Sequence, residues 1–206
     1  ETAAALLERL EPGPELALVY ATLARLSGSH LETDDVLRYG MKAIDIAERT
    51  GATESLIDAL MTIGETQLAH GQIESGQRQI EQAMARSESA GLVEVTARAH
   101  ISLGHGFAQC GRLRTAVKHF EQGIRYCLER DLDLALHHLL ALLARCRLLL
   151  GQWDDAELLA NSVLSARDTA PATRFVALHV AGLVMARRGI AGAEPLLDQA
   201  QDIANV

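Results

Sequence analysis

Residues 97–132, ARAHISLGHGFAQCGRLRTAVKHFEQGIRYCLERDL, read as two antiparallel helices that meet at Gly111. Gly104 sits among bulky apolar neighbours on the first helix, where a missing side chain lets the second helix approach closely. Gly111 closes that first helix, because the residue after a helix commonly turns left-handed and glycine does so at no steric cost. Ala116 offers a small contact on the second helix, and Phe107 and Phe120 fill the space between the two. The product is a helical hairpin.

The spacing recurs on both sides. Gly71, Gly111 and Gly151 stand 40 residues apart, as do Gly64 and Gly104, Gly51 and Gly91, and Ala43 and Ala83. Several landmark pairs at one period mark an internal repeat. The units are residues 15–54, 55–94, 95–134, 135–173 and 174–206, preceded by a leading helix and linker at 1–14. The first carries Leu23, Ala24, Leu31, Val36, Gly40 and Ala43 as landmarks; the second Ile63, Gly64, Gly71, Gly76, Ile80 and Ala83. The fourth has Leu143, Ala144, Gly151, Ala156, Ala160 and Val163, with Trp153 as a packing anchor just after the turn. The fifth places Ala181, Gly182, Gly189, Ala193, Leu197 and Ala200 at the same offsets, one residue shorter in the turn. Apolar residues spaced three and four apart, such as Leu56, Leu60, Ile63 and Leu68, make each helix amphipathic.

Leu103, Gly104, Phe107, Gly111, Ala116, Phe120 and Gly123 fall at the offsets of a tetratricopeptide hairpin. The expected fold class is all-α: a right-handed tetratricopeptide-like superhelix, or solenoid, of about five hairpins forming a single domain over 1–206. Its period exceeds the usual repeat of about 34 residues by less than one helical turn in each helix. An irregular helical bundle is the alternative architecture.

Composition narrows the function classes. Apolar residues make up 49% and aromatic residues only 3% of the 206, which suits many Ala and Leu helix contacts rather than one aromatic core. A net charge of −8 argues against a nucleic-acid surface, which needs a basic stripe. Cys110, Cys127 and Cys146 are odd in number and lack CxxC spacing, so neither a disulfide framework nor a zinc site is expected. The most apolar run, 135–150, is broken by His137, His138, Arg145 and Arg147 and cannot span a membrane. A reducing cytoplasm fits these features. Beginning at Glu1 without Met, the chain reads as part of a longer protein.

The segments FEQGIRYCLERDLD at 120–133, LLLGQWDDAELLANSVL at 148–164 and TAPATRFVALHVAGLVMARRG at 169–189 resemble the repeat region of large LuxR-type, MalT-like transcriptional regulators and related ATP-binding regulators. That resemblance implies an ATP-binding domain ahead of the repeats and a helix-turn-helix domain behind them, with the repeats as an effector-sensing scaffold for signal transduction. The 206 residues contain neither a GxxxxGK[ST] phosphate loop nor a basic recognition helix, so neither activity is assigned to them. The alternative function is a free-standing adaptor that binds a protein or peptide without a transcriptional role.

In tetratricopeptide solenoids the first helix of each hairpin lines a concave face. The offsets that face a ligand select Arg25, Asp58, Met61, Glu65, Arg98, Ile101, His105, Gln109, His138, Arg145, His179 and Arg187. The expected occupant is a protein or peptide partner or a small-molecule inducer, with the later arginines suited to an acidic ligand; ordinary solvated charge is the plainer reading. No cofactor, metal or catalytic residue is expected. His100 and His105 point about 140° apart around a helix at 100° per residue, adjacent His137 and His138 diverge, and no HExxH or GxSxG pattern occurs. Leu196, Leu197, Ala200 and Ile203 are expected to be available to a following unit, giving a route to self-association through exposed solenoid ends.

Overall fold

A computed structural model describes residues 2–29 and 33–205; the landmark Leu31 and the terminal Val206 lie outside the described residues. Eleven helices and no strand occur among the described residues. In chain order they are α1 (Thr2–Leu7), α2 (Pro14–Ser29), α3 (Thr33–Thr50), α4 (Thr53–Ala69), α5 (Ile73–Ser89), α6 (Val93–Gln109), α7 (Leu113–Leu128), α8 (Asp133–Leu149), α9 (Trp153–Ser165), α10 (Pro171–Arg187) and α11 (Ala193–Ala204). They form two compact units, Glu1–Gly106 and Phe107–Val206.

One turn recurs along the chain. Gly51, Gly71, Gly91, Gly111 and Gly151 all have φ between 69° and 78°, and Asp131 takes the same left-handed region at φ 53°. At Gly111 the amide donates to the Ala108 carbonyl at 3.0 Å and the next amide, of Arg112, reaches back to the Phe107 carbonyl at 2.9 Å. This Schellman pair satisfies carbonyls that the helix end would leave orphaned. The following residue, whether Ala52, Gln72, Arg112, Leu132 or Gln152, has φ between −75° and −94° and ψ between 56° and 71°. Those angles lie near an inverse γ-turn. The Thr53 amide accordingly donates to the Gly51 carbonyl at 2.9 Å, and the Val93 amide to the Gly91 carbonyl at 3.1 Å. None of these five residues caps its helix through a side chain.

The 40-residue period follows from this turn. Helices α4, α5, α6 and α8 have 17 residues each, and only residues 70–72, 90–92 or 110–112 separate a helix from the next. A step is therefore 20 residues, and two steps make the repeat. The same turn serves within hairpins and between them.

The second helices bury a single stripe. Val36, Gly40, Ala43 and Ala47 on α3 recur as Gly76, Ile80, Ala83 and Ser87 on α5, as Ala116, Phe120, Gly123 and Cys127 on α7, and as Ala156, Ala160 and Val163 on α9, all of them buried. The first helices are enclosed more fully. Helix α4 packs against α2, α3 and α5 and buries every residue from Ser55 to Gly64 except Asp58. Its near-continuous apolar run, broken by few polar residues, suits that position.

Small residues set the helix separations. A Cβ added at Gly64 would stand 2.6 Å from Ile80 Cγ1 and 2.9 Å from the Gly76 carbonyl oxygen, so α4 and α5 touch backbone to backbone there. Gly106, which the repeat pattern does not single out, is equally tight: a Cβ there would lie 2.9 Å from Leu68 Cβ. In the second unit, Ala141, Ala144, Ala156, Ala160, Ala177 and Ala181 form a core with Leu148, Val163, Val180 and Val184, and half-buried Trp153 packs against it. Leu196 joins that cluster, Leu197 covers Gly182, and Ala200 is 2% exposed. Leu196, Leu197 and Ile203, expected to be available to a following unit, are half-buried, and Ala200 is buried.

At the other end, the Tyr20 hydroxyl donates to the Glu8 carboxylate, and Lys42 Nζ reaches the Tyr20 oxygen at 3.1 Å and Glu8 at 3.4 Å. This cluster ties the residues after α1 to α2 and α3. Burial, with the Glu8 contact second, raises the Tyr20 pKa above its ordinary value.

Gly64→Leu is expected to cost roughly 1–3 kcal/mol through overpacking, read as a lower urea midpoint by circular dichroism. Asp131→Gly should instead stabilise by about 0.5–1 kcal/mol, since it relieves a left-handed conformation that disfavours a Cβ, partly offset by glycine's greater freedom when unfolded. A midpoint that falls in the second case removes the shared-turn account.

Candidate functional site

The first helices of the hairpins carry the candidate positions. On α4 and α6, Arg98 donates to the Asp58 carboxylate, and these two residues occupy the same register 40 positions apart. Beside them the Ser102 hydroxyl donates to Glu65 Oε1 at 2.5 Å. The acidic pair Asp58 and Glu65 is thus answered within its own unit. Met61 is buried at 2% exposure; α4 is enclosed by three neighbours, which turns that offset into the core and corrects its assignment to a ligand-facing surface. Ile101 and His105 are half-buried, and Arg25 is exposed.

The second unit differs in charge. On α8 and α10, His138 Nδ1 and Thr173 Oγ1 share a hydrogen bond at 2.9 Å. Burial, with the Arg145 guanidinium second, holds the His138 pKa below the ordinary histidine value. Its imidazole is therefore neutral near pH 7 and adds no positive charge. Arg145 is half-buried, His179 and Arg187 are exposed, and Gln109 is exposed at the end of α6. Arg187 lies 6.0 Å from the centre of the Trp153 ring, and His179 meets Phe175 edge-on at 5.9 Å. No acidic side chain pairs with Arg145 or Arg187 among the described residues.

Arg188, next along α10, behaves oppositely: it binds Glu157 at 2.6 Å and also Asp154 on α9. Arg147 binds Glu121 at 2.7 Å and Gln152 at 2.8 Å. These partners were not singled out from the sequence. Opposite charges at one period, as at Asp58 and Arg98, are a readable signal; contacts such as Arg188 with Glu157 depend on how two helices are rotated and leave no fixed spacing.

Burial raises the thiol pKa of both Cys127 and Cys146, with nearby arginines opposing it, so both stay protonated and inert. Among the described residues, no group of three or more His, Cys, Asp and Glu side chains is placed to hold a metal, and no helix is long and apolar enough to cross a membrane.

Against known proteins, no family model and no curated protein matches the chain. Solved structures do. BtubC (BKLC) from P. vanneervenii superimposes with a TM-score of 0.77 at 18% identity over 99% of this chain and 87% of its own. The nearly identical TPR-like repeats of a putative Podosopora anserina kinesin light chain give 0.66 at 20% identity, covering 93% and 96%. NprR in complex with its cognate peptide NprX gives 0.70 at 16% identity, covering 98% and 60%. The fold is tetratricopeptide-like. At these identities the likeness speaks for the fold alone.

His138 yields a pH prediction. With its folded pKa depressed, the unfolded chain takes up a proton first, so stability contributed by neutral His138 is present above an unfolded value of about 6.5 and declines as pH falls below it. The loss of urea resistance between pH 7.5 and 5 should be smaller in His138→Asn than in the parent; an equal loss would show that other groups carry it.

Proposed function

We propose that the chain is a non-catalytic scaffold that binds a peptide or protein segment along the first helices of its hairpins. The carrying observation is the unanswered charge of half-buried Arg145 and exposed Arg187, where the corresponding first helices of the first unit pair Arg98 with Asp58. A guanidinium left without a carboxylate is a fork for one supplied by a ligand. NprR, a fold neighbour, was solved with a peptide bound, which supports a peptide as the occupant.

The reading favours an acidic segment held by the second unit, with Gln109 and His179 as further contacts. Arg25, Ile101 and His105 belong to the corresponding face of the first unit. Met61 drops out of the set.

The three segments at 120–133, 148–164 and 169–189 support a finer proposal, that this scaffold is the effector-sensing repeat region of a LuxR-type regulator. A free-standing adaptor is the alternative. A phosphate loop upstream and a helix-turn-helix downstream in the full reading frame favour the first; their absence from a complete frame removes it.

Peptides selected from a displayed random library on the purified chain should be enriched in Asp and Glu. Arg145→Ala with Arg187→Ala should weaken the best of them by about tenfold or more at low salt, with a smaller difference at high salt, as expected for exposed ion pairs. Affinity unchanged by the double substitution would sink the assignment of this face.

A further inference from the structure

A second surface of the second unit gathers positive charge around a cavity. Arg114, Val117, Lys118, Arg147, Leu150 and Gln152 line a half-open recess of about 270 Å³ between α7, the end of α8 and the start of α9. Val117 is 8% exposed and forms, with half-buried Leu150, an apolar floor. Three cations surround that floor, and no carboxylate lines it, in a chain whose net charge is −8.

The cations differ in how they are held. Arg147 is fixed by Glu121 at 2.7 Å and by the Gln152 Oε1 at 2.8 Å, which leaves it further N–H donors and leaves the Gln152 amide nitrogen able to donate. Arg114 and Lys118 stand one turn apart on α7, exposed, and neither forms an ion pair among the described residues. Like charges four residues apart on a helix repel, and the nearby Glu121 carboxylate is bound to Arg147. The first turn of α7, like those of α1 and α10, has no acidic residue, whereas the other eight helices each carry one or two. Arg147 is answered by Glu121, so the net positive charge beside the apolar floor comes from Arg114 and Lys118.

We propose that this recess binds a small organic anion, its carboxylate or phosphate head held by Arg114, Lys118 and Arg147 and its short apolar body resting on Val117 and Leu150. Arg147 is the preorganised member, and Arg114 and Lys118 close on the head when it arrives. The volume falls just below the usual range of about 300–1,000 Å³ for drug-sized ligands, which selects a compact molecule. The recess uses none of the residues assigned to the peptide face.

The test follows backbone amide shifts of Arg114, Val117, Lys118 and Gln152 by proton–nitrogen NMR during titration with benzoate, phenyl phosphate, inorganic phosphate and benzyl alcohol. Saturable shifts with benzoate or phenyl phosphate are expected, each binding about tenfold or more tightly than inorganic phosphate or benzyl alcohol. The tighter of the two identifies the head group. Arg114→Gln with Lys118→Gln, both exposed and outside the core, should abolish the shifts without lowering the melting midpoint, and Arg145→Ala with Arg187→Ala should leave them intact. Lack of saturation, equal binding of inorganic phosphate or benzyl alcohol, or undiminished binding by the Arg114 and Lys118 variant would overturn the proposal. Loss of the shifts in the Arg145 and Arg187 variant would overturn the separation of this recess from the peptide face.

Discussion

Everything periodic in this protein depends on a turn made by the backbone alone. A left-handed residue at Gly51, Gly71, Gly91, Gly111, Asp131 and Gly151 closes the helix before it with a bond from the amide two positions beyond the helix cap, as from Arg112 to Phe107. A near-γ conformation then starts the next helix without help from any side chain. Such a connection has little freedom in length or direction. Once helices are held near 17 residues, the register of one fixes the register of the next, and residues 40 apart meet equivalent surroundings. That is why Val36, Gly76, Ala116 and Ala156 are all buried at the same point of their helices.

Asp131 shows how far the constraint reaches. It occupies the left-handed position that glycine holds at 51, 71, 91, 111 and 151, and α7 still closes through the Leu132 amide onto the Cys127 carbonyl at 3.1 Å. Aspartate tolerates this region better than most residues with a Cβ. The neighbouring packing therefore imposes the turn even where the local sequence favours it less. Glycine makes the turn cheaper; the close approach of helices around small side chains makes it necessary.

The architecture was readable because glycine and alanine are few enough, and their roles rigid enough, to leave a countable spacing. Gly51, Gly71, Gly91, Gly111 and Gly151 announce the helix ends directly. Gly106 was not readable, since its partner Leu68 lies on a helix two elements earlier and shares no repeat offset with it. Met61 misled for a related reason: its offset faces a ligand only where the first helix keeps one side open, whereas α4 is enclosed on three sides. Leu196 and Leu197 read as an unpartnered stripe, but glycine at 182 and the small residues of α10 draw them inward. Spacing specifies where a side chain leaves its own helix; it carries no information on how far the next helix has closed over it.

Charge is the level at which function becomes legible, and there the count of charges matters less than their pairing. Exposed ion pairs contribute about 0–1 kcal/mol each, so Arg98 with Asp58, at 44% and 39% side-chain exposure, is a weak clamp on the fold. Its larger effect is electrostatic: the two charges cancel, and any carboxylate that used Arg98 would have to displace Asp58. Arg145 and Arg187 impose no such displacement, nor do Arg114 and Lys118. On the proposed reading, an acidic ligand gains more from the second unit than from the first, although both are built from the same repeat. The backbone turn makes the units alike, and the placement and pairing of their charges make them different.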